Sequence, residues 1–217
     1  GATWRAVNNS LWLAGSAAVV LMLLSLPLAY RLQRLPERWR GMVLSAIEIP
    51  YALPGVVLAI ACILLFVRPL PIINVALYGT LGLIFIAYLA RFLVVCVKTV
   101  ATSLAQLDPS LEEAAQLAGA GPWRRLGSII LPLVAPALFA GGLLVFLLAV
   151  NELTVSALLW SAGNETLGVL IFNLDEGGES VLASAVSVLV VIMVASLMLT
   201  LSLLAPRLPK GVIPWQS

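Results

Sequence analysis

Histidine is absent, and charge is scarce: Lys, Arg, Asp and Glu make up 10% of the 217 residues, against 62% that are hydrophobic. Without imidazole there is no histidine metal ligand and no His-based general base. Ordinary soluble domains are about a quarter charged, so this composition excludes one and indicates an integral membrane protein. The two cysteines, Cys62 and Cys96, stand far apart inside apolar runs. They read as small buried hydrophobes, with no disulfide framework and no metal motif. No Walker A pattern G-x-x-x-x-G-K-[ST] occurs, so ATP is not bound by that route. H-E-x-x-H and G-x-S-x-G are missing too, which leaves an intramembrane enzyme without a constellation to stand on. No metal site, cofactor site or catalytic residue is expected. A net charge of +2 gives no reason to expect a nucleic-acid partner. The chain opens Gly-Ala-Thr, with neither Met nor a basic signal region, and ends in a short polar tail. It is expected to be a piece of a longer polypeptide.

What the chain does have is long apolar runs. Crossing a membrane takes about 20 mostly apolar residues in a helix. Five such runs occupy residues 10–30, 42–67, 75–97, 133–159 and 180–204. They predict an all-α membrane protein, a bundle of about five transmembrane helices in one unit covering residues 1–217. Residues 68–74 form a short proline-bearing turn. Residues 167–174 are apolar but too few to span, and predict a re-entrant or interfacial helix on the outer side. Gly141-Gly142 suits close helix packing.

Basic residues favour the cytoplasmic side. The loop at 31–40 carries Arg31, Arg34, Arg38 and Arg40 against one Glu37; Lys98, Arg124, Arg125, Arg207 and Lys210 fall on the same side of a five-span chain. The other side keeps Arg5 and Arg68, with Glu165, Asp175, Glu176 and Glu179. The asymmetry predicts an external N-terminus and a cytoplasmic C-terminus.

The longest stretch that is not simply apolar is residues 108–132, DPSLEEAAQLAGAGPWRRLGSIILP. It reads as two short helices joined by a glycine turn. Asp108 is placed to cap the first, with Pro109 tolerated at its first position. Ser110 and Glu113 offer a second register, the Ser-x-x-Glu capping box. Glu112 and Glu113 lie in the first turn, where negative charge suits the helix dipole. Ala114, Ala115 and Ala118 favour helix, with Ala114 and Ala115 leaving room for a partner. Gly119, Gly121 and Pro122 then stop it. A second helix starting at Pro122 carries Trp123, Arg124 and Arg125 towards the next apolar run.

Glu113-Ala114-Ala115, three residues, Gly119, nine residues, then Ile129-x-Leu131-Pro132: this resembles the EAA signature of type I ABC-importer permeases. The likeness of a five-span core with this loop between spans three and four covers nearly the whole chain. It implies a cytoplasmic coupling loop that docks into a cleft of an ATP-binding subunit. It also implies a bacterial inner-membrane location, a second permease half, two ATPase subunits and a periplasmic substrate-binding protein. ATP and Mg would be held by the ATPase, which alone would carry out hydrolysis. A surface amphipathic helix is the plainer alternative for the segment.

IEIPYALPGVVLA, NELTVSALL, NETLGVLIF and the closing LPKG further resemble the second half of fused ferric-iron permeases. Fe(III) would favour hard oxygen ligands such as carboxylates. Permeases for polyamine, thiamine, phosphonate and sulfate share the architecture. A gradient-driven secondary transporter or channel fragment, using Glu48, Arg91 and Glu152, is the rival class; a membrane scaffold would leave the EAA spacing unexplained.

Ionisable groups inside a membrane are costly and mark functional candidates. Counted from the flanking basic residues, Glu48 and Arg91 both sit about 10–12 Å from the cytoplasmic end. They are expected either to pair or to snorkel separately. Glu152, next to Asn151 in the outer half of the fourth span, is expected to border the substrate path or to cap a helix end. Pro50, Pro54 and Gly55 should kink or break the second span, and broken helices in transporters free backbone groups to line a cavity.

Overall fold

Apolar segments in a bilayer must satisfy their own backbone, which the α-helix does within one segment. Every secondary-structure element among the described residues is accordingly a helix. The computed structural model describes residues 1–69 and 76–204. Residues 70–75, including most of the predicted turn and the first residue of the third predicted span, and the tail with Arg207, Lys210 and LPKG lie outside the described residues.

The elements are α1 (Ala2–Gln33), α2 (Glu37–Ala52), α3 (Gly55–Phe66), α4 (Leu81–Ala105), α5 (Pro109–Leu117), α6 (Pro122–Arg125), a π-helical turn (Leu126–Ile130), α7 (Leu131–Val150), α8 (Ser156–Leu159), α9 (Leu167–Glu176) and α10 (Ser180–Leu204). Among the described residues four helices are long and apolar enough to cross a membrane: α1, α4, the continuous rod Pro122–Val150, and α10. The pair α2 and α3 reaches that length only together, bent by 105° at its break, the shape of a broken span or of a re-entrant loop.

α1, α4 and α7 pack together as the centre of the bundle. Leu13, Ala17 and Leu21 of α1 meet Ile84, Ala87 and Tyr88 of α4 and Val145 and Ala149 of α7. Small residues favour close packing: a Cβ on Gly142 would lie 2.2 Å from the Met22 sulfur, so the Met22 side chain of α1 lies directly over Gly142 of α7. A second cluster joins Ala29 and Leu26 of α1 to Val97, Val100 and Leu104 of α4 and Val134 and Leu138 of α7. α10 stands apart, with 11% of its most apolar stretch buried against 50% for α4. In this chain alone it offers most of its surface to lipid or to another subunit.

The two ends of the bundle differ. At one end Asn9 donates to the carbonyls of Gly163 (3.2 Å) and Glu165 (3.0 Å), and Ser10 accepts from the Leu167 N–H at 2.8 Å. Ser161 and Asn164 both donate to the Gly79 carbonyl. Thr166 caps α9, the short helix expected at 167–174. At the opposite end Gln33 donates to the Ala101 carbonyl at 3.1 Å, and residues 108–125 gather beside it.

Predicted boundaries shift. α4 starts at Leu81, not at 75, and its helix continues through the polar residues 98–105, which read as a helix leaving the membrane. The fourth span ends at Val150, so Asn151 and Glu152 lie in a break after the helix, not within it.

Candidate functional site

The segment at 108–132 folds as the two-helix turn its residues encode. Asp108 has extended backbone, and its carboxylate accepts from the Ser110 N–H at 2.9 Å. That hydrogen bond holds the Asp108 carboxyl below its usual range. The cap is therefore Asp108, not the Ser110–Glu113 box. α5 closes in a Schellman motif: Gly119 takes φ 78°, its N–H donates to the Gln116 carbonyl, and the Ala120 N–H donates to the Ala115 carbonyl, both at 3.0 Å. A side chain at Gly119 would be strained in that conformation, which explains the glycine. Pro122 then opens α6. α6 runs without interruption through the π turn into α7. The π turn lies immediately before Pro132, whose ring has no N–H to give and would crowd the Ser128 carbonyl in a regular helix.

α5 has two faces. Glu113, Ala114 and Leu117 are exposed, Leu117 to 90%, and Trp123 of α6 beside them to 75%. Ala115, expected to leave room for a partner, instead packs inward and is buried. Ala114 and Ala115 lie about 100° apart around the helix, and only Ala114 falls on the outer face. Glu112 also turns inward, to Tyr30 and Arg34 of α1 and to Arg125 of α6. Ile129 is half-buried, while Leu131 and Pro132 are exposed at the start of α7.

A second constellation lies deeper, where the two broken spans meet. Leu53 is extended, the conformation that a following proline favours, and Pro54 is the N-cap of α3. The break is at Leu53–Pro54; α2 passes through Pro50 without ending. Gly55 packs directly on Thr154 of the other break: a Cβ there would lie 1.8 Å from Thr154 Oγ1. Arg91 of α4 stands between them. Its Nη1 donates to the Leu53 carbonyl at 3.2 Å, and its Nε is 4.0 Å from Glu152 Oε1. The Glu152 carboxylate also accepts from Thr154 Oγ1 (2.7 Å) and from the N–H groups of Val155 and Ser156 (3.0 and 3.3 Å), capping α8. This is the helix-capping alternative foreseen for Glu152. Asn151 beside it is exposed and donates to the Leu147 carbonyl.

Glu48 and Arg91 are not brought together. Glu48 pairs with Lys98 at 2.6 Å, and Arg91 with Glu152. The reason is the length of α4. Its end at Ala105 lies seven residues beyond Lys98, about 10 Å along the axis. Lys98 thus takes the level of Glu48, and Arg91 sits two turns deeper, level with the breaks. Sequence reasoning also missed Tyr30, Arg34 and Arg125 as partners of Glu112, and Thr154 as partner of Glu152. The one available signal was the Glu112-Glu113 doublet, of which only one can face a partner across the loop.

A bundle of broken and unbroken membrane helices with a short capped loop-helix at one end defines a multi-pass transport subunit. The family of binding-protein-dependent transport system inner membrane components matches residues 22–213, and the chain belongs to that family, the ABC-transporter permeases. It is 28% identical over 212 residues to the putative 2-aminoethylphosphonate transport system permease protein PhnV of Salmonella typhimurium, covering 96% of this chain and 77% of that one. It is 33% identical over 162 residues to the maltose/maltodextrin transport system permease protein MalG of Vibrio parahaemolyticus, covering 73% and 53%. Among solved structures it is similar in fold to a chain of a bacterial alginate ABC transporter in complex with an alginate pentasaccharide-bound periplasmic protein, with a TM-score of 0.76 at 18% identity, covering 95% of this chain and 79% of that one.

Proposed function

We propose that this chain is one translocating half of an ATP-driven importer of the bacterial inner membrane, taking a small polar solute from a periplasmic binding protein. It pairs with a second permease half, and separate ATPase subunits bind ATP and Mg and hydrolyse the nucleotide. The observation that carries this is the outer face of α5 and α6: a capped, rigidly turned helix pair presenting Glu113, Ala114, Leu117 and Trp123, which no described residue covers. Exposed apolar side chains rimmed by charge are what a protein partner would cover. The Lys and Arg excess near that end supports its being cytoplasmic, with the N-terminus outside and the C-terminus inside.

The two breaks support a path beside Asn151, Glu152, Pro54 and Gly55. Glu152 is largely engaged by its own backbone and Arg91, so it is poorly free to ligate a hard cation. Ferric iron therefore has only sequence resemblance behind it. A 2-aminoethylphosphonate-like solute, for which the relative matching nearly the whole chain is named, is placed first for testing, and ferric iron second.

The experiment is reconstitution of the chain with its genomic ATPase and binding protein in vesicles. Uptake should require ATP on the ATPase side and loaded binding protein on the other. Gradient-driven uptake by this chain alone would instead establish the secondary-transporter alternative.

A further inference from the structure

α5 is joined to the bundle in an unusual way. Ala115 is its one buried residue. Beside α5 an open pocket of about 410 Å³ is lined by Leu111 and Glu112 of this helix together with Gln33, Leu104, Ile130 and Leu133. With one buried residue, α5 gets little stiffness from dispersion contacts. Specific polar contacts supply its lateral connection.

Those contacts converge on one atom. Glu112 Oε1 accepts from the Tyr30 hydroxyl and from Arg34 Nη2, and Arg125 Nη1 lies 3.6 Å away. Tyr30 and Arg34 belong to the C-terminal end of α1, and Arg125 to α6. The Arg34 guanidinium sits 3.5 Å over the Tyr30 ring, which aims both donors at the same place. Gln33, between them, ties this end of α1 to α4 through the Ala101 carbonyl. Arg125 also donates to Gln116 of α5 at 3.2 Å, while its Nε is buried without an acceptor. At this exposure a single pair would contribute little to stability. A shared carboxylate is different in what it constrains: it fixes the direction in which α5 and the end of α1 move relative to each other. Glu113, the glutamate of the EAA-like triplet, takes no part in it and points outward.

We propose that Glu112 is a positioning residue for energy coupling: its carboxylate, shared by Tyr30, Arg34 and Arg125, carries movement of the docked α5 into α1. This rests on the docking of an ATPase at α5. Loss of the carboxylate leaves the docking face intact and lets α5 move without α1. Hydrolysis then continues while less solute crosses per ATP.

The test uses the full transporter in vesicles, comparing wild type with Glu112→Gln and Tyr30→Phe, the latter deleting only a hydroxyl. Three quantities are read: ATPase co-purification, hydrolysis stimulated by loaded binding protein, and solute imported per ATP. Glu112→Gln should co-purify with the ATPase like wild type and import about five- to tenfold less per ATP, the lower range of coupling between sites. Tyr30→Phe should shift the same ratio by less. Adding Arg34→Gln to Glu112→Gln should lower it no further, because both changes remove one linkage. An unchanged ratio in Glu112→Gln overturns the proposal. Loss of the ATPase from Glu112→Gln also overturns it, making Glu112 part of the docking contact. Failure of the wild type itself to hold an ATPase would overturn the docking reading, and this proposal with it.

Discussion

Replacing Arg91 by Met keeps an unbranched apolar stem as far as the level of Nε and removes the guanidinium where the two breaks meet. Two groups lose a partner. The Leu53 carbonyl loses its donor from Nη1, and the Glu152 carboxylate loses its cation. Breaking one side of a buried pair costs about 3–5 kcal/mol in soluble proteins. Here the cost should be smaller. The Nε–Oε1 separation is 4.0 Å, Arg91 keeps 18% of its side chain exposed, and Glu152 retains donors from Thr154, Val155 and Ser156. The unmade bond to Leu53 contributes about 1–3 kcal/mol by itself. We expect Arg91→Met to destabilise by about 2–3 kcal/mol. Glu152→Gln should cost about as much, since an amide nitrogen cannot accept from the α8 N–H groups. The double mutant should fall short of the sum of the singles by about 1 kcal/mol. Glu48→Gln, at an exposed pair with Lys98, should cost less than about 0.5 kcal/mol. The assay is thermal unfolding of the purified chain in one detergent, with midpoints compared within the series. Strict additivity of Arg91→Met and Glu152→Gln, or a larger effect at Glu48 than at Arg91, would refute the linkage.

Ala114→Trp should leave folding intact and abolish ATPase co-purification, whereas Ala115→Trp, at a buried position, should disorder α5 and appear as increased proteolysis between residues 105 and 125. Glu165 accepts from the Gly163 N–H at 3.0 Å, chiefly for which reason its carboxyl lies below the usual range, with Arg5 adding in the same direction. The contribution is present above the unfolded value and is lost as pH falls through the depressed folded one; protection of the Gly163 amide, corrected for intrinsic exchange, should stay flat from neutral pH to about 5 and fall only below about 4. Cysteines placed at Arg34 and Arg124 should label only from the cytoplasm and one at Glu176 only from outside; labelling of Arg34 and Glu176 from the same side would end the five-span topology.

Much of this was visible in the residues. Asp108 and Pro109 mark a helix start, Gly119 marks its end, and each does what its local chemistry requires. Leu53-Pro54 breaks a span because proline disfavours the helical region for the residue before it and Leu53 takes the extended alternative, while Ile49 before Pro50 stays helical. What remained hidden depended on distance in the chain. Counting depth from Lys98, and not from the end of α4 at Ala105, put Arg91 level with Glu48, about two turns too near the cytoplasmic end, and gave it the wrong partner. The break after Val150 was obscured because Leu153 and Val155 continue the apolar pattern, while the cap that creates α8 comes from Glu152, a residue with poor credentials as a cap. Glu112 and Glu113 look alike in sequence; only the end of α1, some 80 positions earlier, distinguishes them.

The uninterrupted passage from α6 through the π turn into α7 makes one rod of 29 residues from Pro122 to Val150. At 1.5 Å per residue it is about 43 Å long. One end begins at Gly121, against the exposed face of α5; the other stops at Asn151, one residue before the Glu152 cap that Arg91 holds. Such a rod is a beam, and a beam pivoted near one end amplifies. A tilt of about 10° around its lower turns would carry Val150 about 7 Å sideways, well beyond the 4.0 Å at which Arg91 and Glu152 stand. The wider π turn, next to Pro132, is where the beam is least stiff. Loosening it further, rather than altering either end, would decouple the two.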